Sequence, residues 1–346
     1  MTTVTTAPVI DSDVHCAPAS IDVLLPHLDD YWRDYVGQAG LKLSPSVGGA
    51  YPPGLPISGD PPADVAAVRE AVLDRADRTQ AILNCVTAFD ASRNVYYEAA
   101  LARALNDWLR SEWLDRDERL RASMVVPVLD PDAAVDEIER LAADRRFVQV
   151  LLPVRGDVPY GNRRFRGLLD AAARHDLVVG LHAWGRAASA PTPSGFTHSY
   201  LEDYLANSQV IVQAQVVSMV AEGVFDRLPS LRVALVECGF SWVVPMLWQF
   251  DKDWKALWRE VPWLQAKPSE YVYRHFRATT APAQLPRDAG EVETFVAMLK
   301  ADRLLMFATD HPHDHGDGQE RLLAALDEDG RRAVLHGNAA EMYGLG

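Results

Sequence analysis

A carboxylate and an imidazole stand two residues apart near the start of the chain, in the segment Val9-Ile10-Asp11-Ser12-Asp13-Val14-His15. The apolar, β-branched start of this segment predicts a strand, and side chains two apart on a strand point to the same face. Asp13 and His15 can therefore bind one divalent metal ion, since oxygen and nitrogen ligands suit such ions. Asp11 lies on the same side, and we interpret it as a structural partner of this pair.

Four more apolar runs, far apart in the sequence, also end in polar side chains, which are Arg155, His182, Glu237 and Asp310. If these runs are strands of one parallel barrel, their carboxyl ends meet at a single mouth. We therefore predict one metal site with four ligands, Asp13, His15, His182 and Asp310. This ligand set suits Zn²⁺ or Mn²⁺, and a position left open for water or substrate would make the metal catalytic.

The elements that must position these residues alternate regularly between strands and helices. Eight strand-like runs are each followed by a helical pattern, and they cover residues 9–15, 81–86, 122–128, 148–154, 177–182, 231–237, 276–280 and 304–310. This alternation predicts an α/β fold, a distorted (β/α)8 TIM barrel with helical and loop insertions. The alternative, an open doubly wound sheet, usually has a glycine-rich phosphate loop after its first strand, whereas Cys16-Ala17-Pro18 follows here.

The pattern predicts a single domain over residues 1–346, because neither a linker nor an internal repeat interrupts it. Residues 40–62 are rich in glycine and proline and predict an insertion loop. We expect this loop and the residues after Gly185 to shape the substrate pocket. Aromatic residues in 242–258 predict a core or a subunit interface.

Composition excludes several classes of function. The 346 residues carry a formal net charge of −14, which argues against nucleic acid or an anionic membrane surface as a partner. Apolar runs stay well below the roughly 20 residues that a membrane span needs, and residues 1–8 have no signal-peptide pattern. Three widely spaced cysteines give no disulfide framework. We therefore expect a cytoplasmic protein with a small-molecule substrate.

With these residues in view, the chain resembles the amidohydrolase superfamily, in particular its aminocarboxymuconate-semialdehyde decarboxylase-like branch of metal-dependent hydrolases. The resemblance covers nearly the whole chain. It rests on five segments, which are Ile10-Asp11-Ser12-Asp13-Val14-His15, Gly180-Leu181-His182, Leu228-Pro229-Ser230-Leu231-Arg232-Val233-Ala234-Leu235-Val236-Glu237, Phe307-Ala308-Thr309-Asp310-His311-Pro312-His313 and His336-Gly337-Asn338-Ala339-Ala340. The last two segments together are quite specific for this branch.

The resemblance implies a distorted barrel that holds one divalent metal through Asp13, His15, His182 and Asp310. It also implies a homodimer, since many members are dimers. The named activities of the branch are largely non-oxidative decarboxylations of aromatic or dienoic acids, with hydrolyses and hydrations beside them.

Two departures from the family pattern affect the expected chemistry. The commonest strand-one motif is His-x-His, whereas this chain has Asp13-x-His15, and the added carboxylate favours a harder metal such as Mn²⁺. Many decarboxylases place a histidine at the end of strand six, where this chain has Glu237. Glu237 could orient a water molecule or act as an acid or base.

Four further residues are candidates for contact with the substrate or for proton transfer. Arg155 could hold a substrate carboxylate in a two-pronged contact, or it forms a surface ion pair. His313, in the histidine cluster that follows Asp310, could hold that carboxylate or face the substrate. His198 could cap a helix or act as a mobile acid or base. Asp310 is expected to shuttle a proton as well as to bind the metal.

The sequence thus predicts a metal-dependent enzyme, and it favours a non-oxidative decarboxylase of a small aromatic or unsaturated carboxylic acid. The main alternative is hydrolysis of a C–N, C–O or C–C bond by metal-activated water. A barrel that binds without catalysis is the remaining alternative, and the complete set of four ligands argues against it.

Overall fold

Eight parallel strands follow one another in chain order around a single sheet. The computed structural model of the protein describes residues 8–43, 61–75, 78–86, 94–185, 195, 198–206 and 210–345. In this part of the chain the strands are β1 (Val9–His15), β2 (Arg78–Asn84), β3 (Leu120–Val125), β4 (Phe147–Arg155), β5 (Val178–Gly185), β6 (Val233–Val236), β7 (Phe276–Thr279) and β8 (Leu305–Met306).

Hydrogen bonds between β1 and the segment after β8 bring the sheet close to a complete barrel. The Ser12 N–H donates to the Phe307 carbonyl at 2.9 Å, and the His15 N–H donates to the His311 carbonyl at 2.8 Å. The Asp310 N–H donates to the Asp13 carbonyl at 3.1 Å. The predicted distorted (β/α)8 barrel is therefore confirmed, and the first and last strands of the chain are neighbours.

Helices fill the connections between the strands. They are α1 (Asp30–Ala39), α2 (Val65–Val68), α3 (Val95–Trp108), α4 (Pro131–Leu141), α5 (Arg166–Arg174), α6 (Tyr200–Ala206), α7 (Val212–Ala221), α8 (Val224–Arg227), α9 (Val243–Leu257), α10 (Pro268–His275), α11 (Ala289–Leu299), α12 (Ala301–Leu304), α13 (Gly318–Ala324), α14 (Glu328–Arg332) and α15 (Asn338–Tyr343). Short 3₁₀ turns cover Ile21–His27, Arg163–Phe165 and Trp258–Glu260, and π-helical turns cover Arg69–Leu73, Leu109–Leu114 and Ala333–Gly337.

Local sequence explains where several of these helices begin. The Asp130 carboxylate accepts a hydrogen bond from the Ala133 N–H at 3.2 Å, and Pro131 occupies the first helical position of α4. Capping satisfies a backbone donor that has no partner within the helix, and proline costs nothing there because it has no N–H. Gly223, at a φ of 69°, separates α7 from α8, and an added Cβ would lie 2.4 Å from the Trp263 ring.

The hydrophobic core has two parts. The larger part lies between the strands and the surrounding helices. The smaller part joins Ile10, Ile82, Val178 and Met306 to the C-terminal helix α15. These four residues lie on strands from different sides of the barrel, so they can meet only in its interior. Because α15 packs against them, this helix covers one end of the barrel and inserts Tyr343 into it. The other end carries the polar strand termini.

Two sequence predictions fall partly or wholly outside the described residues. Residues 44–60 of the predicted insertion loop are among them, and so are residues 186–194, which were expected to shape the pocket. The aromatic residues of segment 242–258 differ in burial, because Trp242 is buried whereas Trp248 and Trp258 are exposed. Among the described helices, none combines the length and apolar character of a membrane span.

Candidate metal centre

Asp13 and His15 occupy the carboxyl end of β1, where both side chains are buried. The Nε2 atom of His15 lies 3.8 Å from Oδ1 of Asp13. The same Asp13 oxygen accepts a hydrogen bond from the Asn84 side chain at 2.8 Å. The pairing of His15 with Asn84 in the parallel ladder between β1 and β2 brings Asn84 to this position.

His182 and Glu237 reach the same region from β5 and the end of β6. The Nε2 atom of His182 lies 3.8 Å from Oδ1 of Asp13, and its Nδ1 atom lies 3.8 Å from Oε2 of Glu237. Glu237 adopts a left-handed φ of 56°, and its backbone N–H donates to the Thr279 hydroxyl at 3.0 Å. A positive φ is unfavourable for a residue with a Cβ, so the strand end holds Glu237 in a strained position beside His182.

Asp310 lies where β8 turns away, and three imidazoles surround its buried carboxylate. Its Oδ1 lies 2.8 Å from Nε2 of His15 and 3.1 Å from Nδ1 of His313, and its Oδ2 lies 2.5 Å from Nε2 of His315. Burial acts to raise the pKa of the Asp310 carboxyl, but these hydrogen bonds outweigh burial and hold the pKa well below its usual range. The carboxylate is therefore kept ionised.

His313 is affected by the same pair of opposing effects. Burial acts to lower the pKa of its imidazole, but the hydrogen bond to Asp310 and the negative charge of that group raise the pKa above its usual value. His313 was predicted either to hold the Asp310 carboxylate or to face the substrate, and the structure shows its contact with Asp310.

Asp11 has the structural role that the sequence predicted. Its carboxylate accepts hydrogen bonds from the Thr309 N–H at 2.9 Å and from the Thr309 hydroxyl at 2.8 Å. These bonds connect β1 to the segment after β8 and fix the backbone next to Asp310. The register of β1 against β2 shifts between Asp11 and Val14, which interrupts the regular alternation of the strand.

The four predicted ligands lie in two groups of possible metal ligands, and His15 belongs to both groups. One atom each from Asp13, His15 and His182 lie within 4.8 Å of one another, and a second such group joins His15 to Glu237, Asp310 and His313. Ligands at about 2.0–2.2 Å from one ion are roughly 3–3.6 Å apart. The Oδ2 atom of Asp13 is buried without a hydrogen-bond partner among the described residues, as expected for an oxygen that a cation would satisfy.

For two residues that were predicted to contact the substrate, Arg155 and His198, the structure gives the position of the residue and no contact with a substrate. Arg155 ends β4 and is buried, so its interpretation as a surface residue is wrong. His198 lies in an exposed turn before α6, where its backbone N–H donates to Glu202 at 3.0 Å. No hydrogen bond or ion pair of the described residues joins the His198 side chain to the metal centre. Their contacts with substrate remain predictions.

Sequence reasoning missed the polar residues that support the ligands from inside the barrel. Asn84 contacts Asp13, and Ser123 and Gln149 extend the contact across β3 and β4. The sequence feature that could have identified these residues was a polar residue within an otherwise apolar strand. Such a residue indicates a buried hydrogen bond, but its partner depends on strand register.

A closed parallel barrel with histidines and carboxylates at the carboxyl ends of its strands defines a TIM-barrel protein with a candidate metal centre. Within that class, the chain belongs to the amidohydrolase family, whose model matches residues 10–345. The predicted family is therefore confirmed. The gamma-resorcylate decarboxylase of Rhodococcus jostii (strain RHA1) is 26% identical over 269 residues, which cover 71% of this chain and 77% of that protein.

Solved structures show the same fold. The 5-carboxyvanillate decarboxylase from Sphingomonas paucimobilis aligns with a TM-score of 0.70 and 22% identity, over 99% of this chain and 100% of that one. The dihydroxybenzoic acid decarboxylase from Polaromonas sp. JS666, solved with bound manganese and the inhibitor 2-nitroresorcinol, aligns with a TM-score of 0.67 and 19% identity over 98% of each chain. These relatives are decarboxylases of aromatic acids, in agreement with the predicted class of function.

Proposed function

We propose that this protein is a metal-dependent, non-oxidative decarboxylase of a small aromatic carboxylic acid. The observation that carries the proposal is the convergence of Asp13, His15, His182 and Asp310 at the carboxyl ends of β1, β5 and β8. The similarity to decarboxylases of gamma-resorcylate and 5-carboxyvanillate supports a hydroxylated benzoic acid as the substrate class.

The proposed cofactor is one divalent cation, Mn²⁺ or Zn²⁺, held by these four side chains. Two carboxylates in the ligand set favour the harder Mn²⁺, and the manganese in the Polaromonas relative supports the same choice. When bound, the cation supplies positive charge that attracts the carboxylate and neighbouring oxygens of the substrate.

The chain's own residues provide for the proton that the reaction consumes. Decarboxylation breaks the bond between the ring carbon and the carboxylate, releases CO₂ and places a proton on the ring carbon. Asp310, in contact with the imidazoles of His313 and His315, is the proposed group that passes this proton. His182 and Glu237 lie beside each other in the same site, with Nδ1 of His182 3.8 Å from Oε2 of Glu237.

The proposal also assigns residues that bind the substrate. Arg155, buried at the end of β4, is the proposed partner of an anionic substituent of the substrate, and His313 is the second proposed contact. We assign His198 to the outer part of the pocket.

At the level of the molecule, we propose a single catalytic domain over residues 1–346 that acts as a homodimer in the cytoplasm. The family resemblance suggests the dimer. The three free, buried cysteines are compatible with a reducing compartment.

The decisive experiment measures bound metal and product together. Protein purified without chelator is analysed for metal, loaded with Mn²⁺ or Zn²⁺, and screened against hydroxybenzoic acids with CO₂ release as the readout. We expect one metal per chain, and we expect His182→Ala and Asp310→Ala to lose both the metal and turnover by at least about 100-fold, because each removes a proposed ligand. The exposed His198→Ala serves as a control that retains the metal.

Full turnover in either ligand variant would contradict the proposed centre. Wild-type protein without stoichiometric metal would instead favour a barrel that binds without catalysis.

Hydrolysis by activated water is the second candidate function, and Glu237 is the observation that favours it. A carboxylate beside His182 at the end of β6 is suited to accept a proton from water. The same screen therefore includes lactones and amides, with acid release as the readout. Acid release without CO₂ release would replace the decarboxylase by a hydrolase.

A further inference from the structure

A row of buried polar side chains runs from the metal centre across four neighbouring strands to the C-terminal helix. Asn84 on β2 contacts Oδ1 of Asp13 at 2.8 Å, and Ser123 on β3 contacts Oδ1 of Asn84 at 2.6 Å. Gln149 on β4 contacts the Ser123 hydroxyl at 2.8 Å, and the Tyr343 hydroxyl on α15 contacts Oε1 of Gln149 at 3.0 Å. We refer to Asn84, Ser123, Gln149 and Tyr343 as the polar row.

The carboxylate at the end of the row determines the direction of every hydrogen bond in it. An ionised Asp13 can only accept, so the Asn84 amide nitrogen must face it and the Asn84 carbonyl must face Ser123. The Ser123 hydroxyl then donates to Asn84 and accepts from the Gln149 amide. The Gln149 carbonyl in turn accepts from Tyr343. Four donors therefore point in sequence toward Asp13.

The surrounding structure holds the row in place. Asn84, Ser123 and Gln149 have no exposed surface, and Tyr343 is 6% exposed. Gly180 on β5 leaves the space for Gln149, because an added Cβ would lie 2.3 Å from the Gln149 amide carbon. Burial, together with the negative charge of Asp13, raises the pKa of the Tyr343 phenol, which keeps this group a proton donor.

We infer that the polar row acts on the metal centre by holding Oδ1 of Asp13, the oxygen that lies 3.8 Å from Nε2 of both His15 and His182, and so fixes the orientation of this carboxylate toward the cation. The row contacts only this oxygen, since Oδ2 has no hydrogen-bond partner among the described residues. Hydrogen bonds aligned in one direction polarise one another and strengthen the last bond of the series. Asn84, Ser123, Gln149 and Tyr343 are thus positioning residues. This inference rests on the proposed metal centre.

The row is unsuited to carry protons through the barrel. Two of its four members are carboxamides, which do not exchange protons readily near neutral pH. The expected effect is therefore on metal affinity and coordination, and only through these on turnover.

Ser123→Ala and Tyr343→Phe test the inference, since each removes one hydroxyl. The control is Tyr271→Phe, which also removes a buried tyrosine hydroxyl, but one that contacts Asp226 at 2.5 Å in the outer helical layer. The dissociation constant of Mn²⁺ is measured by competition with a chelator, and the visible spectrum of the Co²⁺-loaded protein reports coordination. Supporting groups of metal ligands typically change affinity by roughly 10- to 100-fold.

We expect Ser123→Ala to weaken Mn²⁺ binding by about 10-fold and Tyr343→Phe by about 3-fold, since its effect passes through three intervening residues. We expect Tyr271→Phe to stay within about 2-fold of wild type and to leave the Co²⁺ spectrum unchanged. Because the Gln149 amide also donates directly to Oδ1 of Asn84 at 3.3 Å, a row that transmits its effect gives a double variant whose loss of Mn²⁺ affinity is smaller than the product of the two single losses.

Two results would overturn the inference while leaving the metal centre intact. One is wild-type Mn²⁺ affinity in both single variants. The other is a double variant whose loss equals the product of the two single losses, because independent packing defects multiply in this way. Wild-type protein that binds no metal would overturn the proposed function itself. If Tyr343→Phe does not fold, Ser123→Ala alone decides through its affinity and its spectrum.

Discussion

His275 shows how a single buried side chain can make stability depend on pH. It ends α10, its Nδ1–H donates to the Leu231 carbonyl at 2.9 Å, and its ring stacks on Phe225 at 4.4 Å. The residue is only 4% exposed. Burial is the largest influence and lowers the pKa of the imidazole, with Arg274 and Arg277 acting in the same direction and Asp226 opposing them.

We predict that His275→Asn makes the protein less sensitive to mild acid. The unfolded chain takes up a proton at the ordinary histidine pKa of about 6.5, above the folded value. Wild-type stability is therefore complete above this pH and falls as the pH drops below it, by at most about 1.4 kcal/mol per pH unit. Urea denaturation between pH 5 and pH 8 measures the difference, with the partly exposed His27→Asn as control. Parallel pH profiles for wild type and His275→Asn would contradict the prediction.

At the residue scale, the sequence predicted the proposed ligands well and their support poorly. Asp13, His182 and Asp310 each end an apolar run, and the barrel brings such ends together whatever their separation in sequence. Asn84 and Gln149 lie inside strands, and their partners follow from the register of four strands. A one-residue change in register would reverse the face on which each side chain lies, and the sequence alone does not fix that register.

At the scale of elements, Asn106 joins α3 to β3 and α4. Its side-chain amide donates to the Val125 carbonyl at 2.8 Å and to Glu137 at 2.7 Å, and its carbonyl accepts from the Val125 N–H at 2.9 Å. Arg140 donates to both oxygens of Glu137 within α4 and to the Asp107 carboxylate on α3 at 2.9 Å, which joins the two helices. One buried side chain thus satisfies the backbone at the end of β3.

We predict that Asn106→Leu lowers the free energy of unfolding by about 2 to 4 kcal/mol, because both backbone groups of Val125 lose a buried partner. The exposed pair of Glu112 and Arg116 within the same helical segment gives the control. Glu112→Gln is expected to cost about 0.5 kcal/mol or less. Urea denaturation of both variants gives the comparison, and equal losses would show that Asn106 contributes only as an exposed polar group would.

The sequence predicted which segments form strands more reliably than it predicted where each strand begins and ends. All eight strands occur where apolar runs predict them, but β8 covers only Leu305–Met306 of the predicted run 304–310. The rest of that run pairs irregularly with β1, because Asp310 adopts a left-handed φ of 57°. The sequence pattern does not predict α10, although Pro268 occupies its first position. Its amphipathic face becomes apparent only against the neighbouring helices.

At the scale of the whole molecule, the proposed cation connects strands from both ends of the chain. It would contact β1 and the segment after β8, whose mutual hydrogen bonds complete the barrel. A ligand that binds only the folded state stabilises that state by an amount that grows with the logarithm of its free concentration relative to its dissociation constant. The proposed metal centre would therefore contribute to the stability of the barrel as well as to chemistry.

We predict that Mn²⁺ raises the thermal midpoint and that a chelator reverses the change. At a free concentration 100 times its dissociation constant, the ion adds about 2.7 kcal/mol, which corresponds to an increase of roughly 3 to 6 °C for a chain of this size. Differential scanning calorimetry with and without EDTA measures the shift. Asp310→Ala should show no shift, and a shift of equal size in that variant would indicate binding elsewhere.

The adjacency of β1 and β8 also bears on how the protein is made. Asp13 and Asp310 lie 297 positions apart, and Asp11 bonds to Thr309 across 298 positions. At a synthesis rate of roughly 5 to 20 residues per second, the ribosome needs roughly 15 to 60 seconds after producing the first ligand to produce the last. During that interval the nascent chain holds an incomplete set of the proposed ligands, so metal acquisition would be a late event in biogenesis.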